Sequence, residues 1–179
     1  MIGLDWEGSF ASAKLDENPV FGFDCGRSEQ NDFFYQRAWS DQQDSLSTTY
    51  LYYVHGMVAA YATIVMDSLP VSRSERGGIP YRHVSSLKLA QLGVNRPFQG
   101  VGIGQAVVSA VYAIARQVGE RVACRYVTLD AQPDLVAWYE AQGFVRNRLR
   151  QQERIDDAIR HRRDPAVIPV SMRFDLRPV

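Results

Sequence analysis

Apolar positions along the chain fall into runs of two different periods, and these divide it into strands and helices. "STTYLYYVHG" (47–56) and "MVAAYATIVMDSL" (57–69) are dense in β-branched and aromatic residues and meet at His55-Gly56, which predicts an antiparallel hairpin. "VSSLKLAQLGV" (84–94) alternates apolar and polar side chains, as a half-buried strand does. The stretch between, residues 69–83, carries two prolines, a Gly-Gly pair and four charges, so it predicts a loop. Helical spacing marks "FDCGRSEQNDFFYQRAWSDQQDS" (23–45), where Phe33, Phe34, Arg37 and Ala38 follow the candidate caps Ser28 and Asn31. Residues 101–118 place Val, Ala and Ile on nearly every helical face, which predicts a deeply packed helix. "RVACRYVTLDA" (121–131) predicts a strand. "PDLVAWYEAQGF" (133–144) predicts a short helix opened near Pro133 and stopped by Gly143. Strand pieces are expected at 143–150 and 166–175, around an arginine-rich segment.

The order is helix, three strands, helix, strand, helix, strand, strand. That is a mixed α/β (α+β) layer with a strand–loop–helix unit at its centre. At 179 residues the chain is expected to be a single domain, 1–179. Its 46% hydrophobic and 22% charged content suits a globular protein. No apolar run approaches the roughly 20 residues that span a bilayer. The N-terminal 19 residues lack the basic head and apolar stretch of a signal peptide. A cytoplasmic location with no membrane partner is therefore expected. Cys25 and Cys124 read as structural thiols, and three scattered histidines (His55, His83, His161) offer no ligand spacing, so no metal is expected.

The formal charge of zero is unevenly spread: residues 1–50 hold nine acids against three bases. Eighteen of the twenty basic residues are arginine, and seven of these fall in "VRNRLRQQERIDDAIRHRRD" (145–164). Arginine suits phosphate recognition, but a basic helix more often presents a solvated face, and that second reading is the one expected here.

Glycines at 100, 102 and 104 stand directly before the 101–118 helix, where chain entropy makes them costly. A helix start presents unpaired N–H groups and the positive end of its dipole, and glycines there let an anion reach the amides. The ATPase phosphate loop would need a lysine that is absent, and the dinucleotide fingerprint would need glycine where Gln105 stands. A pyrophosphate-like ligand remains open, beside the plainer use of glycine for a tight turn and close helix packing.

Gln99-Gly100-Val101-Gly102-Ile103-Gly104 resembles the Gln/Arg-x-x-Gly-x-Gly/Ala loop of the GNAT acyltransferase superfamily, following a strand that ends Leu92-Gly93-Val94. "AWYEAQGF" (137–144) is similar to that family's Tyr-Glu-x-x-Gly-Phe helix, and the likeness covers roughly residues 20–175. The resemblance implies a central mixed, mostly antiparallel sheet flanked by helices, with a strand–glycine loop–helix site for the cosubstrate acetyl-CoA. It assigns cofactor contacts to Leu92, Gly93, Val94, Gln99, Gly100, Val101, Gly102, Ile103, Gly104 and Gln105. Asp134 joins them: the asparagine that many members place early in the tyrosine helix is missing, and Gln132 or Asp134 stands near that position. A narrower likeness, through "FDCGRSEQNDFF" (23–34) and "LAQLGVNRPFQGVGIG" (89–104), is to GNAT toxins that acetylate aminoacyl-tRNA. Gln91 stands where those proteins often have arginine, and residues 146–165 look like an extra charged insertion.

The implied chemistry is N-acetyl transfer from acetyl-CoA to an amine by direct attack, the group moved being an acyl group other than aminoacyl. Tyr139 is the expected acid beside the departing sulfur. Because a tyrosine pKa near 10 exceeds a thiol pKa near 8.5, its expected part is a strong hydrogen bond to developing negative charge. No general base is legible: Glu140 should point away from its neighbour, and His83 is a lone histidine. Tyr50, Tyr52, Tyr53, Tyr61 and Phe98 are expected to be core more than acceptor pocket. An amine-bearing small molecule, a peptide or an aminoacyl-tRNA fits as acceptor. Asp32, Asp41 and Asp44 favour a cationic acceptor over tRNA. A non-catalytic CoA-binding module is the alternative class, and a homodimer and an antitoxin are the protein partners envisaged.

Overall fold

Seven strands form one open sheet in the order β1-β2-β3-β4-β5-β7-β6. They are β1 (Ala11–Lys14), β2 (Thr48–Val54), β3 (Met57–Pro70), β4 (His83–Val94), β5 (Tyr126–Ala131), β6 (Val145–Arg146) and β7 (Val170–Asp175). The helices are α1 (Ser28–Gln36), α2 (Ala38–Gln43), α3 (Ile103–Gly119), α4 (Val136–Ala141) and α5 (Arg148–Arg160). The pairs β1/β2, β2/β3, β5/β7 and β6/β7 are antiparallel, so the sheet is mostly antiparallel and the architecture mixed α/β, as expected. These elements come from a computed structural model that describes residues 7–17, 19 and 22–177. Part of the stretch on which the signal-peptide reading rests lies outside the described residues. Contacts group into two compact units, Met1–Val65 with Leu89–Val111, and Met66–Lys88 with Tyr112–Val179.

In the first unit the predicted hairpin forms as drawn, with His55 and Gly56 both at positive φ, the turn that matches strand twist. Strand β1 is an addition. Its four residues are all exposed and carry no apolar run, so only pairing with Tyr50–Tyr53 makes them a strand. The helix expected over 23–45 starts late and is interrupted once. Residues 22–27 form a loop, and Arg37, at φ −125, separates α1 from α2. Phe23, Phe34, Leu51 and Tyr61 are the core here, with Phe34 stacked on Tyr61 at 4.7 Å and Phe23 edge-on to Tyr61 at 5.4 Å. Phe98, Tyr52 and Tyr61 are buried, which settles their core reading.

In α3, Ile103, Val107, Val108, Val111 and Ala115 are buried while Gln105, Ser109, Ala113, Arg116 and Gln117 are exposed. The helix is one-sided rather than packed all round, because polar residues and the small Ala113 sit on its wet face.

In the second unit β5 and β7 pair in register from Tyr126↔Asp175 to Ala131↔Val170. Phe174 of β7 stacks on Tyr112 at 4.0 Å. The strand predicted over 121–131 begins only at Tyr126, because the amides of Arg121 and Val122 bond back to Val118 at the end of α3. The strand expected at 143–150 shrinks to Val145–Arg146, and the charged segment becomes α5. Strand β7 starts just after Pro169, which has no N–H to give a ladder.

Candidate functional site

The glycine loop is a left-handed turn delivered to a helix start. Gly100 (φ 77) and Gly102 (φ 94) adopt backbone angles that other residues rarely hold, and Gly102 offers its carbonyl to Ala106 N–H at 3.1 Å as α3 begins. Ile103, Gly104 and Gln105 occupy the first turn, whose amides have no acceptor within a helix. Ile103 is 1% exposed and fixes that end, whereas Gly100, Val101 and Gly102 are exposed. A Cβ at Gly100 would meet no heavy atom within 4 Å, so the turn borders open space. This is room for an anion at the positive end of α3, and the residues fit a diphosphate.

The flanking candidates are more committed. Gln99 spends its carboxamide N–H groups on Val94 O (2.8 Å) and Cys25 O (2.9 Å). At the end of β4, Leu92 and Val94 are half-buried and Gly93 is buried. A Cβ on Gly93 would lie 2.6 Å from Tyr61 Cε1 and 3.0 Å from Phe23 Cζ, so glycine here makes way for two rings. Sequence reading missed that packing duty.

Tyr139 lies in α4 and is 7% exposed, edge-on to Trp138 (4.8 Å) and to Phe144 (5.6 Å). Its carbonyl accepts from Gln142 and Phe144 as the helix ends at Gly143. The neighbouring phenol of Tyr112 donates to Gln142 O at 3.0 Å, and burial pushes its pKa far up. Glu140 pairs with Arg146 at 2.9 Å, turned away as helix geometry required. Asp134 is exposed in the 3-10 turn Pro133–Leu135 that leads into α4. Cys25 and Cys124 are free thiols.

The arginine segment is not uniformly a solvated face. Arg150 and Arg154, one turn apart on α5, reach inward. Arg150 makes two bonds to Asp67 (2.6 and 3.1 Å), which also accepts from Thr128. Arg154 grips Asp130 at 2.6 Å, and Lys88 joins it at 2.7 Å. Burial pushes both carboxyls up, but these cations outweigh it and hold them below the usual range. Glu75, from the loop after β3, supplies the cap that α5 lacks locally. It accepts from Arg148 N (2.9 Å), Ser72 Oγ (2.8 Å) and Arg173 (3.2 Å). Arg146, Arg148 and Arg173 then line an open cleft of about 590 Å³ together with Glu75.

Among the described residues no group of three or more His, Cys, Asp or Glu could hold a metal ion, and no helix is long and apolar enough to cross a membrane.

Comparison with known proteins matches residues 10–144 to the acetyltransferase (GNAT) family. No curated protein matches the chain by sequence. Among solved structures, a crystal structure described as a bacterial toxin superposes with a TM-score of 0.74 at 18% identity, over 93% of this chain and 90% of that one. A tyrosine-to-phenylalanine variant of KacT gives 0.73 at 18% identity over 94% and 95%. AtaT complexed with acetyl-methionyl-tRNAfMet gives 0.67 at 21% identity over 76% and 86%. At these identities the likeness carries the fold.

Proposed function

The chain belongs to the GNAT acetyltransferase family, and on that premise we propose that it moves the acetyl group of acetyl-CoA onto the amine of an aminoacyl-tRNA. The observation that carries the reading is the left-handed turn at Gly100 and Gly102 directly before α3, and on this reading it leaves the first-turn amides open to an anion. The helix dipole adds only ~0.3–1 kcal/mol, so several charge-assisted amide bonds supply the rest of the grip. The turn spanning Gly100 to Gln105 holds the diphosphate by this means, with Gln99 at its entrance. Leu92, Gly93, Val94 and Asp134 complete the contacts, and a main-chain N–H at the end of β4 polarises the thioester carbonyl.

Acetyl-CoA supplies an activated carbonyl and a thiol leaving group. The neutral amine attacks directly: a C–N bond forms, the C–S bond breaks, and the amine proton passes to water. Tyr139 donates a hydrogen bond to the departing sulfur. Full transfer of its proton would be uphill by roughly 2 kcal/mol at ordinary pKa values, so the hydrogen bond is its main contribution.

Two observations favour a tRNA acceptor over a small amine. AtaT shares this fold and is found with acetyl-methionyl-tRNAfMet. The cleft lined by Arg146, Arg148 and Arg173 carries more positive than negative charge even with Glu75 in it and paired to Arg173, and such a lining suits phosphate. The acidic first third opposes tRNA less than its count suggests, since Asp24 pairs with Arg96 and Asp41 with Arg37. AtaT also occurs bound to the C-terminus of the antitoxin AtaR, and an antitoxin partner and a cytoplasmic location belong to the same proposal.

The test is calorimetry with acetyl-CoA, then acetyl transfer to methionyl-tRNA and to a panel of free amines over a range of salt. A tRNA product, with an affinity falling steeply as salt rises, is expected. Salt-insensitive turnover on free amines alone would move the acceptor to a small molecule or peptide. Binding without turnover on any acceptor would leave a CoA-binding module. No heat at millimolar acetyl-CoA would remove the whole reading.

A further inference from the structure

Two segments 71 to 74 residues apart in sequence are tied together immediately before the glycine turn. One is the loop 22–27 that leads into α1, the other the stretch 94–99 that leaves β4. Arg96 Nε donates to Asp24 Oδ2 at 2.7 Å, and Arg96 N–H donates to Asp24 O at 2.9 Å. Asn95 Oδ1 accepts from Asp24 N–H at 3.2 Å, and its Nδ2 donates to Val58 O at 3.1 Å. Gln99 Nε2 bridges Cys25 O and Val94 O. Asp24 Oδ1 also accepts from Gly26 N–H (2.7 Å) and from Asn31 Nδ2 (2.8 Å) of α1. A Cβ on Gly26 would lie 3.1 Å from Arg96 Nη2, so the guanidinium rests against bare backbone.

Such a clasp does little for overall stability. The Asp24–Arg96 side chains are 52% and 64% exposed, and water and salt screen ion pairs of that kind. Its location is what gives it weight. Gly100 and Gly102 have the widest conformational freedom of any residue type, so a turn built from them keeps its shape only if both ends are held. Ile103 holds the far end through burial. At the near end Phe98 is buried, but Gln99, which leads directly into Gly100, is exposed, and its backbone N–H bonds to Arg96 O, at 3.2 Å, within the clasp itself. Its carboxamide, with both N–H groups committed to main-chain carbonyls, ties this last residue before the turn to both segments.

We propose that Gln99, Arg96 and Asp24 are positioning residues that preset the glycine turn for the cosubstrate's diphosphate and couple it to α1. This rests on the acetyl-CoA reading above. Gln99 therefore acts through two carbonyls of its own chain rather than through a contact to ligand. Holding the turn in its binding shape lowers the entropy lost when an anion is gripped. Losing the tie should weaken binding and leave the chemical step intact.

The experiment is calorimetry with CoA and steady-state kinetics with acetyl-CoA, on the wild type and on Gln99→Ala, Gln99→Glu and Arg96→Ala. The expected result for Gln99→Ala is a Kd and KM about tenfold higher with kcat at saturation within twofold. Gln99→Glu should be worse than Gln99→Ala, because a carboxylate set between two carbonyls repels both and donates to neither. Arg96→Ala should shift Kd in the same direction, and its effect should be non-additive with that of Gln99→Ala. The clasp is overturned if the wild type binds CoA and Gln99→Ala and Arg96→Ala both bind it within twofold. It is equally overturned if kcat falls while Kd stays unchanged, or if Gln99→Glu matches the wild type. A wild type that gives no heat with CoA strikes the acetyl-CoA reading instead, so the two failures are distinct.

Discussion

Replacing Gly93 by alanine adds a single methyl group where two aromatic rings already stand. Its carbon would lie 2.6 Å from Tyr61 Cε1 and 3.0 Å from Phe23 Cζ, against about 3.5–4.0 Å for comfortable carbon contacts. Tyr61 must retreat by roughly 1 Å to reach that spacing, and it has nowhere to go. It is fully buried, stacked on Phe34, and anchored by its hydroxyl donating to Gln30 O at 2.8 Å. Overpacking of this kind costs about 1–3 kcal/mol, and straining the Tyr61 hydrogen bond adds about 1 kcal/mol. The sum, roughly 2–4 kcal/mol, corresponds to a fall in Tm of about 5–12 °C for a chain of this size. Thermal unfolding followed by circular dichroism measures it, with a urea titration as the second probe. Adding Phe23→Leu to Gly93→Ala should return part of the loss by vacating space beside the new methyl. A Gly93→Ala protein that melts within 1 °C of the wild type would refute the packing argument, and Gly93 would then be in the sequence for its backbone alone.

Tyr139→Phe should lower kcat by ~10²-fold or more with acetyl-CoA affinity retained; an unchanged rate on every acceptor found would remove Tyr139 from the chemistry. Gly102→Val puts a β-branched residue at φ 94 and should abolish CoA binding in calorimetry while far-UV dichroism stays close to that of the wild type. Glu75→Gln removes the carboxylate that caps α5 and pairs with Arg173. It should cost roughly 2 kcal/mol and speed hydrogen exchange across residues 148–160. Asp67, Asp130 and Glu75 are held below ordinary carboxyl values because their hydrogen bonds and cations outweigh burial. A folded pKa below the unfolded one stabilises above about pH 4 and ceases to as pH falls through the folded value. Protection of α5 should therefore be flat from pH 5 to 8 and drop below pH 4; a drop between pH 5 and 7 would contradict the network.

Much of this molecule is written in short-range signals. The hairpin 48–70 needs only β-branched runs and a turn at His55-Gly56, and both are local. The glycine turn needs only residues able to hold positive φ, placed between a strand and a helix, so the candidate site was legible at Gly100 and Gly102 before any fold was known. What stayed hidden depends on partners far along the chain. Gln99 has the residue type of a ligand contact, yet its carboxamide is spent on Cys25, 74 residues away. The segment 145–164 looked like strand pieces around a wet basic face. It folds as α5 because Asp67, 83 residues from Arg150, and Asp130 draw two of its arginines inward, and because Glu75, on a loop, starts the helix. Strand β1 has no apolar pattern and exists through the neighbour it pairs with. Backbone freedom and apolar period belong to a few adjacent residues and can be read in one dimension. The energy of a buried ion pair or a borrowed cap depends on which distant groups arrive beside it, and that is known once the chain has closed on itself.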